Sequence, residues 1–372
     1  MGPSKRILGT SSLAKPDFEN FAKYSDLFLD TQQYSNNGPC LQLLEKRLAE
    51  FHDSNFCISF ANGFWALVMT IEALKTKNKT EILIPSLTYR RMADLVSWAG
   101  LTPVYYDIDP ETLTANVELI EEKITKNTSV VLGVHPIVNC FPTHQIKQLC
   151  DKYSLPLIMD SVESAYEITN GARVGSQAIA EIFSMHASKL INGGEGGYVT
   201  TNDKCLHEQL SIARGFGFKG PESINYNNGI NSKLNEIHAA LALANLDSLE
   251  RLIKHNEIIY RQYQDSLKDI DGINILQFDE SSRTSYKNIV VRIADGFPLT
   301  RDNLVSALNK KSILARAYYS PPLHVKEKAT CYLPNTDLCS LNHLILPSGY
   351  QINVTDTKYI CDAIRGIVET CQ

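Results

Sequence analysis

The sequence predicts an α/β fold in two lobes: a large one built on a mostly parallel sheet between helices, then a smaller α/β one. Two observations carry this. From residue 56 to about 213, short and nearly continuous apolar runs alternate with amphipathic helical patterns, as strands buried on both faces require. The 372 residues also exceed what one core commonly serves, and a long helical pattern near residue 250 marks the division into 1–250 and 251–372.

Residues up to about Phe28 are weakly patterned, and the stretch from Gln33 to Pro39 is turn-rich. Leu41, Leu44, Leu48 and Phe51 then share one helical face, leaving Glu45, Lys46, Arg47 and Glu50 for solvent. Phe56–Phe60 reads as a buried strand, and Ala61-Asn62-Gly63-Phe64-Trp65 turns it into a helix. A helix N-terminus after a glycine turn offers free amides to an anion, although any strand-to-helix turn has that form. Strands at Glu81–Pro85, 103–107, 130–134 and 156–159 alternate with helices at 90–100, 116–124 and 145–153. Two further strands, 181–185 and 198–201, flank Lys189 and the glycines 193, 194, 196 and 197, where backbone can approach closely. A helix runs to about Arg214, followed by a glycine-containing loop at 215–221. The next helix buries Leu234, Ile237 and Leu241, with Asn231 or Ser232 as its cap. The pattern through Leu249, Leu252, Ile253 and Tyr260 ends at Asp271-Gly272, and the second lobe opens with a strand at 286–293 and a helix at 300–310.

Composition excludes several classes. With 44% hydrophobic and 21% charged residues the chain is an ordinary globular one, neither disordered nor fibrous. A net charge of -5 without a basic block excludes nucleic acid as the expected partner. No apolar run reaches membrane-spanning length, and the start lacks the apolar stretch of a signal peptide. Arg6 stands where a myristoylation motif beginning at Gly2 needs Ser or Thr, so the expected location is cytoplasmic. Nine cysteines, an odd number with no CxxC pair, read as reduced thiols and not as a zinc or disulfide framework; no metal is expected.

Taken singly, the polar residues of interest have ordinary readings. Lys189 is a solvated lysine in a glycine-rich hairpin, Asp160 a turn cap at a strand tip, Tyr89 a core residue, and His324 a lone exposed histidine. Their order along the chain is more specific. Ser184 through Lys189 to Gly-Glu-Gly-Gly, Asp160-Ser161-Val162-Glu163, Pro85-Ser86-Leu87-Thr88-Tyr89, Asn37-Gly38-Pro39 and the segment 229–240 together resemble the DegT/DnrJ/EryC1/StrS family of sugar aminotransferases. The resemblance spans about Tyr34 to Pro347. It implies the fold type I of pyridoxal-phosphate-dependent transferases, with a mostly parallel sheet of the seven-stranded type between helices and a smaller C-terminal domain.

By this resemblance Lys189 forms the Schiff base with pyridoxal 5'-phosphate (PLP), and Ser184 with the amides of Gly63 and Phe64 binds the phosphate. Asp160 pairs with the pyridinium nitrogen, Glu163 lies close to the ring, and Tyr89 stacks on it. Asn231 reaches the phosphate of a second subunit, implying a homodimer with active sites at the interface. His324, Arg90, Arg91 and Lys233 are substrate-side candidates. The implied reaction is a ping-pong transamination through pyridoxamine 5'-phosphate, from glutamate or glutamine to a nucleotide-linked keto-deoxysugar, giving an amino sugar for glycan or natural-product biosynthesis. Relatives with histidine in place of the lysine dehydrate instead, and Lys189 argues against that. The chain departs from the pattern at Phe64-Trp65, at Arg90-Arg91, and after His135, where Pro136-Ile137 replaces the usual residues. Transamination of a non-nucleotide ketone such as a cyclitol, another reaction with the same cofactor, and a non-catalytic binding or regulatory protein stay open.

Overall fold

A computed structural model describes residues 6–9, 17–220 and 223–371. Gly2 and Pro221 lie outside the described residues. Seven strands form one sheet in the order Phe56–Phe60, Gly197–Thr201, Ala180–Ser184, Leu157–Asp160, Thr128–Val134, Glu81–Pro85, Thr102–Tyr106. Neighbours are parallel except for Gly197–Thr201, which runs antiparallel to both strands beside it. The apolar runs explain the strands: Ile82, Leu83, Ile84, Val130, Val131, Leu132 and Ile158 are wholly buried. Helices cover both faces, so these strands have no polar side to display.

The expected strands appear with small shifts at their ends; Ile237, expected to be buried, is exposed, and three further expectations need correction. The weakly patterned start contains a helix, Phe18–Thr31, capped by the Asp17 side chain on the amides of Glu19 and Asn20. Its buried Tyr24 and Phe28 pack beside the Glu236–Asp247 helix, while Phe18, Leu27 and Leu29 stay exposed and blur the apolar stripe. Second, the cap of the Glu236–Asp247 helix is Asn235, whose side chain accepts from the His238 amide, and neither Asn231 nor Ser232. Asn231 is instead bridged to Gly215, and the Ser232 amide donates to the Arg214 carbonyl at 2.9 Å, which keeps this stretch extended. Third, the strand expected from residue 286 starts at Ile289. Tyr286 takes a left-handed conformation (φ 49), so extended pairing cannot begin there, and Lys287 and Asn288 precede the strand as irregular chain.

The smaller sheet is antiparallel, in the order Ile273–Ile275, Ile289–Ile293, His343–Leu346, Arg316–Ala317. The long helical pattern near residue 250 resolves into two helices, Glu236–Asp247 and Leu249–Leu267, broken at Ser248. Leu8–Gly9 pairs in parallel with Ile313–Leu314, so the beginning of the chain packs on residues assigned to the second lobe. Leu87, Ile108, Ile137 and Val138 join the same apolar cluster. Among the described residues no helix is long and apolar enough to cross a membrane, and no three metal-ligating side chains cluster.

The glycine cluster after Lys189 has a steric cause. A Cβ on Gly197 would lie 2.3 Å from the Gly63 nitrogen and 2.5 Å from the Asn62 carbonyl carbon, backbone atoms that cannot swing aside. Gly197→Ala should therefore destabilise the unliganded protein by about 3 kcal/mol in urea unfolding. A loss below about 0.5 kcal/mol, the size of an ordinary surface change, would show that this approach is not a constraint.

Candidate active site

Parallel strands deliver their carboxyl ends to one edge, where α/β sheets gather ligands. Asp160 ends the Leu157–Asp160 strand there, with its Oδ1 accepting from the Val162 amide at 3.2 Å. The turn that follows presents Glu163. Its Oε1 is ion-paired with Lys189 Nζ, and its Oε2 accepts from Lys287 Nζ at 2.9 Å and Asn288 Nδ2 at 3.2 Å.

Lys189 lies in the hairpin between Ala180–Ser184 and Gly197–Thr201. Backbone bonds hold that loop: the Met185 amide to the Gly196 carbonyl and the Ala187 amide to the Gly194 carbonyl, both at 2.8 Å, and the Gly193 amide to the Met185 carbonyl at 2.9 Å. Asn192 Nδ2 donates to the Lys189 carbonyl at 3.3 Å. The lysine is thus presented from a fixed loop and only its side chain spans the gap to Glu163.

A second feature of this edge is the start of the Gly63–Leu74 helix. Asn62 caps it by accepting from the Trp65 amide at 3.0 Å, which leaves the Gly63 and Phe64 amides as first-turn donors without intrahelical partners. A Cβ on Gly63 would sit 3.3 Å from Ser184 Cβ, so the Ser184 side chain adjoins those amides. A hydroxyl beside a helix N-terminus suits a phosphate. Phe64 adds bulk without occupying the amides: its ring packs edge-on to Trp65 at 5.4 Å.

The other residues singled out in the sequence fall differently. Tyr89 is half exposed. Arg91 is engaged by Asp94 of its own helix at 3.0 Å, and Arg90 is exposed. Lys233 Nζ donates to Asn36 Oδ1 at 2.6 Å, beside the Asn37-Gly38-Pro39 turn. Asn231 is exposed. His324 is not the exposed histidine expected: it is buried, its amide donates to Ser86 Oγ at 3.0 Å, and its Nδ1 shares a 2.7 Å hydrogen bond with the same hydroxyl. Its Nε2 lies 3.3 Å from Asp337 Oδ1, so one ring nitrogen reaches the end of the Glu81–Pro85 strand through Ser86 and the other is held by the Pro334–Asn342 helix. His135 is buried with Nδ1 accepting from the Phe141 amide at 3.0 Å, and burial pushes its pKa down to about 3.

Lys287 and Asn288 were missed in the sequence. A lysine before Ile-Val-Val is a weak hint of burial, but its partner Glu163 is 124 residues away.

The charges are strongly perturbed. Burial pushes the Asp160 carboxyl up to about 6 against the smaller opposing effects of the Val162 amide and Lys189. Burial opposes ionisation of Glu163 as well, yet the ammonium groups of Lys189 and Lys287 outweigh it and hold that carboxyl well below the usual range. Lys287 is shifted down, chiefly by burial, with Glu163 opposing. The edge therefore holds a firmly ionised Glu163 between two lysines, and an Asp160 whose ionisation is unfavourable until a cation joins it.

Known proteins share this arrangement of sequence and fold. The family model described as DegT/DnrJ/EryC1/StrS aminotransferase family matches residues 17–365. The dTDP-4-amino-4,6-dideoxy-D-glucose transaminase of Shigella dysenteriae is 29% identical over 357 residues, covering 95% of this chain and 96% of that protein. The UDP-2-acetamido-2-deoxy-3-oxo-D-glucuronate aminotransferase of Pseudomonas aeruginosa is 30% identical over 334 residues, 88% of this chain and 90% of that one. The crystal structure of DesI in the presence of its TDP-sugar product superposes with a TM-score of 0.91 at 28% identity, covering 98% of this chain and 93% of that chain. This chain belongs to the DegT/DnrJ/EryC1/StrS aminotransferase family.

Proposed function

We propose that this protein uses PLP to transfer an amino group from glutamate or glutamine to a nucleotide-linked keto-deoxysugar, cycling through pyridoxamine 5'-phosphate and yielding an amino sugar. The observation that carries the reading is the Lys189–Glu163 ion pair beside the desolvated Asp160 at the carboxyl edge of the sheet. The two relatives above are named for dTDP- and UDP-linked sugars, and because the nucleotides differ the proposal stops at the class.

The residues fit the cofactor. Asp160 has one hydrogen bond and an unfavourable charge, so a protonated ring nitrogen would supply both the missing donor and the missing cation. Gly63 keeps the turn beside Ser184 free of a side chain, which leaves its amide and that of Phe64 open to the phosphate. Tyr89, half exposed, offers a ring face for stacking.

When bound, the cofactor supplies an aldehyde carbon that captures an amine and a protonated ring that draws electrons from the amine's Cα. Asp160 would hold the ring nitrogen in its protonated form. Ser184 and the Gly63 and Phe64 amides would hold the phosphate. Lys189 Nζ, as a free amine, would serve as the general base and then acid that moves the proton. Glu163 accepts an N–H of Lys189 and keeps it directed at the site.

The proposed active unit is a homodimer in the cytoplasm. Asn231 supports the first part: its side chain is exposed, and Phe216, Phe218 and Ile224 nearby in the chain expose apolar surface suited to a second copy. The described free cysteines accord with a reducing compartment.

With added PLP, the wild-type protein should show a visible absorbance band that Lys189→Ala lacks, and glutamate or glutamine should bleach it. A band that neither donor alters would overturn the donor assignment; a band retained in Lys189→Ala would overturn the role of that lysine. Asp160 gives a second, pH-dependent test on unliganded protein. Its folded pKa of about 6 lies above the unfolded value of about 3.9, so its neutral form favours folding. That contribution is full below about pH 4 and lost as pH rises through 6. Asp160→Asn should thus exceed wild type in stability at pH 8 by about 1–2 kcal/mol, with the gap closing below about pH 4. Turnover should fall about 100-fold or more. A variant less stable than wild type at pH 8 would contradict the desolvation argument.

A further inference from the structure

Glu163 has two lysine partners where one would satisfy its charge. Lys189 comes from the hairpin of the large sheet, while Lys287 comes from the irregular chain before the Ile289–Ile293 strand of the smaller one. The two use different oxygens, Lys189 on Oε1 and Lys287 on Oε2, and Asn288 Nδ2 adds a bond to Oε2 at 3.2 Å. All three charged side chains are largely withdrawn from water, at 20% exposure for Lys189, 15% for Glu163 and 13% for Lys287. Taking a second ammonium out of water is costly, and its pairing with Glu163 offsets that cost only in part, since burial still lowers the Lys287 pKa.

A function follows from what happens to Lys189. On the reading above, its nitrogen would be drawn from Glu163 when it bonds to the cofactor and would return as the free amine, so its pairing with Glu163 would not be constant through turnover. A buried carboxylate that lost its sole cation would take up a proton. Glu163 does not face that loss, because Lys287 stays on its other oxygen. We infer that Lys287 is a positioning residue for the transfer reaction: reaching from the second lobe, it keeps Glu163 ionised and aimed at the Lys189 nitrogen while that nitrogen is bonded to the cofactor.

The neighbouring charges are mixed: Glu163 raises the Asp160 carboxyl and the Tyr318 and Tyr319 hydroxyls, Arg316 lowers the Tyr319 hydroxyl, and Glu167 favours the charged form of Lys287. Among the described residues, no cation other than Lys189 and Lys287 is ion-paired to Glu163. Left-handed Tyr286, an uncommon conformation for an aromatic residue, directs the chain at this point.

The inference rests on the proposed cofactor, and the experiment separates the two. The spectrum of PLP-loaded protein is recorded against pH for wild type, Lys287→Met, Lys287→Gln, Lys287→Arg and the double variant Lys287→Met/Glu163→Gln, with thermal melts and cofactor stoichiometry reporting folding. Lys287→Met and Lys287→Gln should each gain an inflection between about pH 5 and 8, as Glu163 takes up a proton. Wild type and Lys287→Arg should lack it, and so should the double variant, which has no carboxyl to titrate. Superimposable profiles in all variants would overturn the inference while leaving the cofactor reading intact. So would an inflection that survives in the double variant, or a rise only in the KM for the amino donor with an unchanged profile, which would assign Lys287 to substrate. If wild type shows no Lys189-dependent band, the cofactor reading fails, and the inference with it.

Discussion

The backbone of Gly197 lies against that of Asn62 and Gly63 so closely that a Cβ would come within 2.3 Å of the Gly63 nitrogen, and the candidate site depends on this approach. Gly197 begins the one antiparallel strand of the large sheet, between Phe56–Phe60 and Ala180–Ser184. Because that strand is inserted there, two otherwise distant features meet: the helix N-terminus after Phe60 and the hairpin carrying Ser184 and Lys189. Any side chain at Gly197 would spread the two, and the hydroxyl of Ser184 would move away from the amides of Gly63 and Phe64. The requirement for glycine is thus steric contact between backbones, with local flexibility secondary.

From that contact the rest of the edge follows by sheet geometry. The parallel strands ending at Asp160, Val134 and Pro85 all point the same way, so their following turns bring Glu163, His135 and Ser86 to one side. Residues distant in the chain close the arrangement by two polar ties: His324 on Ser86, and Lys287 with Asn288 on Glu163. The first tie is buried and the second largely so, which makes the placing of these residues a condition for the charge state of the site and not merely for its shape.

Much of this was legible in the sequence because each large-sheet strand is an apolar run bounded by turn residues. Phe56–Phe60 and Glu81–Pro85 are read to the residue, and the other strands of that sheet to within two. That Asp160, Glu163, Ser184 and Lys189 belong together came from the resemblance of their motifs to the family, since each residue taken singly had an ordinary reading. Features decided by tertiary packing were not legible. Phe18–Thr31 is held by Tyr24 and Phe28 against a helix more than 200 residues later, while Phe18, Leu27 and Leu29 point to solvent. His324 could be read as exposed since nothing nearby announces Ser86, and Lys287 is defined by a carboxylate 124 residues before it. The Asn235 cap was passed over because Asn231, Ser232 and Asn235 are all good caps, and only the Gly215 bridge decides among them.

Counting acceptor bonds on buried carboxylates separates those that hold the fold from those open to a ligand. Glu181 accepts from the Gly175, Gln177 and Ala178 amides and from the Ser161 hydroxyl, at 2.7 to 3.3 Å. Glu167 accepts from the amides of Tyr166 and Ser285 and from the Ser285 hydroxyl. Glu236 accepts from the Cys40 and Leu41 amides, acting as the anion at the start of the Pro39–Phe51 helix, where the dipole favours it. These groups have their oxygens bonded by elements that cannot move without unfolding, and a ligand could add little. Among the described residues the Asp160 carboxylate accepts a single bond, at 3.2 Å, and the hydroxyl of its own neighbour Ser161 is committed to Glu181. A carboxylate with about four acceptor sites, partly withdrawn from water and given one donor, keeps most of its acceptor capacity open. A cationic N–H ligand there would add both a hydrogen bond and a compensating charge.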